Sequence, residues 1–101
     1  MNYQVIFSPK AEEQLLNLYR YLEREASADI AAQYTEEVVA YCEGLADLPY
    51  RGIMRDDIRK GLRISHYKKR TVIAFAVDTP LIMILGVFHG GQNYEAILID
   101  V

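Results

Sequence analysis

Arg70-Thr71-Val72-Ile73-Ala74-Phe75-Ala76-Val77, then Asp78-Thr79-Pro80, then Leu81-Ile82-Met83-Ile84-Leu85-Gly86-Val87-Phe88 is the stretch on which the fold turns. Val72 to Val77 is apolar at successive positions, so both faces of that strand are buried and it sits centrally, covered on each side. Leu81 to Phe88 is near-continuously apolar but too short to span a bilayer as a helix. A short turn containing Pro80 joins the two runs, which makes them antiparallel neighbours. His89-Gly90-Gly91 breaks the second run. Just upstream, Leu62, Ile64 and His66 alternate with Arg63, Ser65 and Tyr67, the pattern of a strand with one apolar face. His66 falls on that apolar side and reads as a core or edge residue. Three strands on short loops form a meander.

Working outward, Tyr3 to Phe7 is β-branched and aromatic and reads as a strand. Ser8 is a helix N-cap, with Pro9 at the first helical position, where its missing N–H costs nothing. The periodicity predicts a helix from Pro9 to about Arg24, with Ala11, Leu15, Leu18, Tyr19 and Leu22 on one face. Leu16 falls among the polar residues and Tyr21 on the flank. Ser27 caps a second helix, predicted over Ala28 to Leu48 and stopped by Pro49. It carries two seams. Ile30, Tyr34, Val38, Tyr41, Leu45 and Leu48 are large; Ala28, Ala32, Thr35, Val39, Cys42 and Ala46 are small. A helix with two seams packs against two neighbours, here the first helix and a sheet. Cys42 reads as a packed small hydrophobe. The predicted order is β-α-α-β-β-β. The fold class is α+β, a helix hairpin packed on a mostly antiparallel sheet whose first strand joins at an edge or the centre.

The chain of 101 residues suits a single domain over 1–101. One cysteine excludes an internal disulfide and fits a reducing, cytoplasmic setting. No basic, apolar, small-residue stretch stands at the start of the sequence, so no secretory signal is expected. Two histidines and one cysteine at scattered spacing form no metal-site pattern, and no glycine-rich phosphate loop is present, so no cofactor is expected. The net charge of −3 argues against coating nucleic acid with the whole surface. The charge is unevenly spread: Arg51 to Arg70 holds eight cations and two acids, a net of +6, against −9 for the rest. One reading of that segment is a local site for an anionic partner. The other is that these charges only solvate a loop and strand edges.

Several pieces resemble the RelE/ParE toxins in order and placement: Phe7-Ser8-Pro9-Lys10-Ala11-Glu12 entering the first helix, and Leu48-Pro49-Tyr50-Arg51-Gly52 after the second. Gly61-Leu62-Arg63 opens a strand, Val77-Asp78 closes one, and Leu85-Gly86-Val87-Phe88-His89-Gly90 closes the last. The RelE branch of that superfamily cleaves messenger RNA on the ribosome, which takes a base, an acid and cations for phosphate. No Lys or Arg follows Arg70 here. Gly90, Gly91 and Gln92 stand where RNA-cutting members carry a cation, and a short acidic-apolar tail runs from Tyr94 to Val101. In this the chain is more similar to the ParE branch.

The ParE resemblance implies a type II toxin with no catalytic residues, which acts on DNA gyrase and meets DNA only through gyrase or its antitoxin. It also implies a cognate ParD-like antitoxin. The expected target-binding residues are Arg59, Arg63, Lys68, Arg70, His89 and Tyr94. Leu16 and Tyr21 are the expected antitoxin contacts. Arg63 has a competing role, pairing with a helix carboxylate to hold the fold. His89 has one too, as a hydrogen-bonded turn residue. The alternative function is a RelE-like ribosome-dependent endonuclease, for which His89 and Tyr94 would move protons.

Overall fold

The structure, a computed structural model, describes residues 2–99. Its elements are β1 (Gln4–Phe7), α1 (Pro9–Glu25), α2 (Ala28–Gly44), β2 (Ile53–Met54), β3 (Leu62–Tyr67), β4 (Thr71–Asp78), β5 (Leu81–His89) and α3 (Tyr94–Ile99). The sheet order is β1-β5-β4-β3-β2. The meander β3-β4-β5 is antiparallel throughout, and β1 joins at the edge, parallel to β5. The fold is therefore α+β, with a helix hairpin on a mixed sheet. No described helix is long and apolar enough to cross a membrane.

Both helix caps form as their residue types require. Ser8 Oγ accepts the Ala11 N–H at 3.1 Å, and Ser27 Oγ accepts the Ile30 N–H at 3.1 Å. The hairpin covers one face of the sheet, where Ala11, Leu18, Val38, Cys42, Leu45, Ile73, Phe75, Ile82, Ile84 and Val87 form the main core. A second cluster lies apart, joining Leu62, Ile64, Ala74, Phe88 and Leu98, the last contributed by α3. Both faces of β4 are thus covered, as its unbroken apolar run requires.

Four details differ from the reading by periodicity. First, α2 ends at Gly44 rather than Leu48, and the chain tightens into successive i→i−3 bonds from Leu45 to Leu48. Glycine is a poor helix former, and such tight winding is common at helix ends. Second, Ala31 is fully buried although it lies in neither seam, while Ile30 and Leu48 are exposed. At about 100° per residue Ala31 points along the divide between the seams, and Ile30 at the outer margin of the large one. Third, His66 is exposed, whereas Ser65 is buried beneath Tyr41, whose hydroxyl it meets. His66 lies toward the end of β3, where its alternation outlasts the covering layer. Fourth, two short elements, β2 and α3, are additional to the predicted order. Ile53 and Met54 are exposed and carry no burial pattern; they are a strand only by pairing with Ile64 and Arg63. Part of the expected tail is α3, whose Asn93 Oδ1 accepts the Ala96 N–H at 3.2 Å. Asp100 and Val101 of that tail lie outside the described residues.

An irregularity in β5 shapes the region that follows. Ala74 pairs with Gly86 but Phe75 pairs with Ile84, so Leu85 is a bulged residue. Gln14 of α1 accepts the Val87 N–H through Oε1 at 2.7 Å, and Ser8 N donates to Ile84 O at 3.0 Å. These bonds fasten α1 along the distal half of β5.

Candidate functional site

At the end of the sheet where β3 turns into β4 and β5 finishes, Tyr67, Thr71 and His89 stand in register. Thr71 is fully buried. Its Oγ1 lies 2.6 Å from the Tyr34 hydroxyl and 2.9 Å from His89 Nδ1. A hydroxyl has one proton and two acceptor sites, so the direction of this chain follows the tautomer of His89. The Tyr34 ring stands edge-on to the imidazole at 5.5 Å, and Tyr21 flanks it at 6.1 Å. Burial, helped by the charge of Arg70, holds the His89 pKa below its ordinary value. The site therefore favours the neutral imidazole. The expectation of a hydrogen-bonded residue at a strand end describes its geometry.

The turn Lys68-Lys69-Arg70 puts three cations beside this cluster. Lys68 adopts φ 53°, the left-handed region, which costs a bulky residue roughly 1–2 kcal/mol. Its Nζ lies 3.4 Å from Glu37 and above the rings of Tyr67 and Tyr34 at 5.4 and 5.8 Å. Glu37 also accepts the Tyr67 hydroxyl at 3.1 Å, which is the main reason its pKa is lowered. The carboxylate in turn raises the pKa of Lys68. Lys69 and Arg70 are exposed, and the Arg70 carbonyl accepts the Gly90 N–H at 2.9 Å. Cys42 is buried in the core; burial pushes its thiol pKa up to about 12, so it carries no thiolate chemistry.

The remaining predicted residues lie elsewhere. Arg63 is four residues from Tyr67 along β3, roughly 13 Å at the strand rise. Its guanidinium donates to Tyr50 O at 2.6 Å and Arg51 O at 3.3 Å and sits over the Tyr50 ring. Its bonds run to loop carbonyls and not to the helix carboxylate of the competing reading. Tyr94 packs on Phe88 and accepts a bond from Arg55 at 3.2 Å. Arg55 also pairs with Asp57 at 2.8 Å and Glu95 at 2.6 Å. These bonds raise its pKa and tie α3 to the loop before β3. Arg59 is half-buried in that loop, its N–H bonded to Arg55 O. The structure thus brings Lys68, Arg70 and His89 together and sets Arg63 apart from them. Leu16 and Tyr21 are both exposed. They lie roughly 140° apart around α1, so one groove does not hold both.

Tyr21 and His89 also line a pocket of about 300 Å³ with Gln14, Asn17, Gly90 and Gln92. Its floor is Leu18 and Val87. Gln14 and Asn17 gave no signal in the sequence, because a Gln or Asn on a helix does not show what it faces, and Gln92 stood out only as a residue that is not a cation. Only the break at His89-Gly90-Gly91 marked the place.

The chain matches, over residues 5–94, the family described as ParE toxin of type II toxin-antitoxin system, parDE. This chain belongs to the ParE toxin family. It is a type II toxin-antitoxin toxin. Among solved structures, the ParE-family chain resembles one from the chromosomal ParDE system of P. aeruginosa. There the TM-score is 0.76 at 18% identity, covering 87% of this chain and 96% of that one. It also resembles a chain of the toxin-antitoxin complex RelBE2 from Mycobacterium tuberculosis, with a TM-score of 0.64 at 19% identity, covering 88% and 99%. At such identities the two likenesses speak to the ParE/RelE-like fold. No curated protein matches the chain significantly.

Proposed function

We propose that this toxin binds DNA gyrase, stalls it on cut DNA, and is neutralised by a ParD-like antitoxin. The observation that carries the reading is the ParE-family match across residues 5–94. The charge layout supports it. No cation follows Arg70, so the segment past β5 supplies amides and no cation of its own for the phosphate chemistry of RNA cleavage. Lys68, Lys69 and Arg70 make a compact positive tip that can steer the toxin onto an acidic surface. In this reading Lys68, Arg70 and His89 form the contact. Arg59, Arg63 and Tyr94 extend it from the other end of β3, with Arg63 and Tyr94 shaping the surface through their own bonds. The antitoxin wraps around α1, meeting Leu16 on one side and Tyr21 on the other, amphipathic segments being suited to such exposed apolar anchors. Acting on gyrase places the toxin in the cytoplasm.

The competing reading is a RelE-like ribosome-dependent endonuclease. One observation favours it: His89 favours its neutral form and borders a pocket, an arrangement able to accept a proton. Purified toxin added to gyrase and relaxed plasmid should block supercoiling and accumulate cleaved DNA. The same toxin on translating ribosomes should leave messenger RNA intact. Cut message with untouched supercoiling would reverse the assignment.

A further inference from the structure

The pocket beside His89 has a lining chemistry that inhibition of gyrase by charge does not use. Gln14 Oε1 accepts the Val87 N–H at 2.7 Å, and Gln92 Oε1 accepts the His89 N–H at 3.1 Å. Both carboxamides are thereby oriented by the backbone, each oxygen already holding one main-chain N–H and each NH2 group left as a donor. Asn17 stands one turn from Gln14 and Tyr21 on the same side of α1. The two aromatic rings of the pocket, Tyr21 and His89, are 6.1 Å apart and tilted. The floor is apolar. A donor-rich, ring-flanked pocket of this size suits a flat ligand that presents acceptors along its edge.

The surroundings suit an anionic ligand. Lys10, Gln14, Asn17, Tyr21 and Arg24 recur at 4-3-4-3 spacing and so form one stripe of α1. Its charged members are both cations. The acids nearest to it are Glu13, on its outer margin, and Glu25, the last residue of the helix. Across the pocket, Arg70 is close enough to His89 to lower its pKa, and its carbonyl holds Gly90 at the rim.

We propose that this groove between α1 and the end of β5 binds single-stranded nucleic acid by taking one unstacked keto base, thymine or guanine, into the pocket. The base lies against Tyr21 and His89, since any base offers a π-face to an aromatic ring. The acceptors on its edge, O2 and O4 of thymine or O6 and N7 of guanine, meet the NH2 groups of Gln14, Asn17 and Gln92. Adenine, whose edge pairs an acceptor with an NH2 donor, is disfavoured there. Arg24, Lys10 and Arg70 take the flanking phosphates, as cations do in other single-strand grooves. Duplex is excluded because its bases stay stacked. The inference goes beyond the gyrase reading and stands or falls without it.

The test uses the purified toxin alone and 5′-dye-labelled dT10, dA10 and a ten-base-pair duplex, read by fluorescence anisotropy at fixed salt. The expected order is dT10 tightest, with dA10 and duplex each weaker by roughly tenfold, one good base contact's worth. Tyr21→Ala and Asn17→Leu, both on the helix surface, should each weaken dT10 by roughly 5- to 100-fold, the range for lost base contacts, with unchanged circular dichroism. Equal affinity for all three probes, lost only in Arg70→Gln, would reduce the groove to a charged patch and overturn the proposal. No binding of dT10 at millimolar strand would do the same and leave the pocket to a protein side chain. Because gyrase is absent, neither result bears on gyrase inhibition.

Discussion

Thr71 is the residue on which the His89 cluster depends. Its hydroxyl is fully buried between two polar partners, the Tyr34 hydroxyl and His89 Nδ1. Thr71→Val keeps the shape and strands both partners, so it should cost about 1–3 kcal/mol in urea unfolding. A change within a few tenths would show that water replaces the hydroxyl. His89 adds a pH dependence whose sign follows from its environment. Its folded pKa is depressed below 6.5 by burial first and by Arg70 second. The unfolded chain therefore binds the proton more readily. Stability from the neutral imidazole is present above about pH 6.5 and is lost as pH falls through the folded value. The urea midpoint of the wild type should drop between pH 7 and pH 5 by more than that of His89→Gln. Parallel pH profiles would mean that the imidazole charges freely in the native state.

The elements divide into those that carry the fold and those that are carried by it. In α2, Leu45 is buried in the main core just past the last helical residue. Leu45→Ala should cost about 2–5 kcal/mol, the range for a buried leucine whose cavity does not collapse. Retained stability would mean that the turn after Gly44 repacks. The six residues of α3 are too few to hold a helix by themselves. It is held by Leu98 under Phe88 and by Arg55, which reaches Asp57, Glu95 and Tyr94 at once. Arg55→Met should leave the meander intact and speed hydrogen exchange in α3 selectively. High salt should do the same to the wild type, because this network is exposed. Exchange that rises equally in β4 and β5 would show that Arg55 holds the whole sheet.

At the scale of the molecule, the acidic remainder and the basic tip give the toxin a direction. Steering by exposed charge is screened by salt, so inhibition of gyrase should weaken as ionic strength rises from about 0.05 to 0.2 M. Lys69→Gln with Arg70→Gln should flatten that dependence while the fold persists. A potency insensitive to salt would count against a charge-led contact. Leu16 and Tyr21 point to different sides of α1, so antitoxin binding should be measured on Leu16→Asp and Tyr21→Asp separately. Each should weaken the complex if the antitoxin wraps the helix, and a loss confined to Tyr21→Asp would place it on the pocket side alone. In that case the antitoxin and a single strand would compete for one groove.

Periodicity, caps and turn residues are local properties. Ser8, Ser27, the two faces of Val72 to Val77 and the break after Phe88 placed the strands and helices within a few residues. The missing cations after Arg70 were equally plain. What the sequence left open depends on partners far along the chain. Whether β1 sits at the edge or the centre follows from its pairing with β5. The strand character of Ile53-Met54 exists only in its ladder with β3. Ala31 is buried because two packing surfaces meet over it, which neither seam foretells. The α3 start is the exception, since Asn93 before Tyr94-Glu95 is a local cap signal, but so short an apolar run beside it shows no helical period. The site was legible as charge and as a strand end. Its pocket was not, because Gln14 and Val87 are 73 positions apart and meet only where a bulge at Leu85 shifts the pairing at that end of β5. Local chemistry fixed which segments bury their apolar faces; the closing of the sheet on α1 decided which polar groups converge.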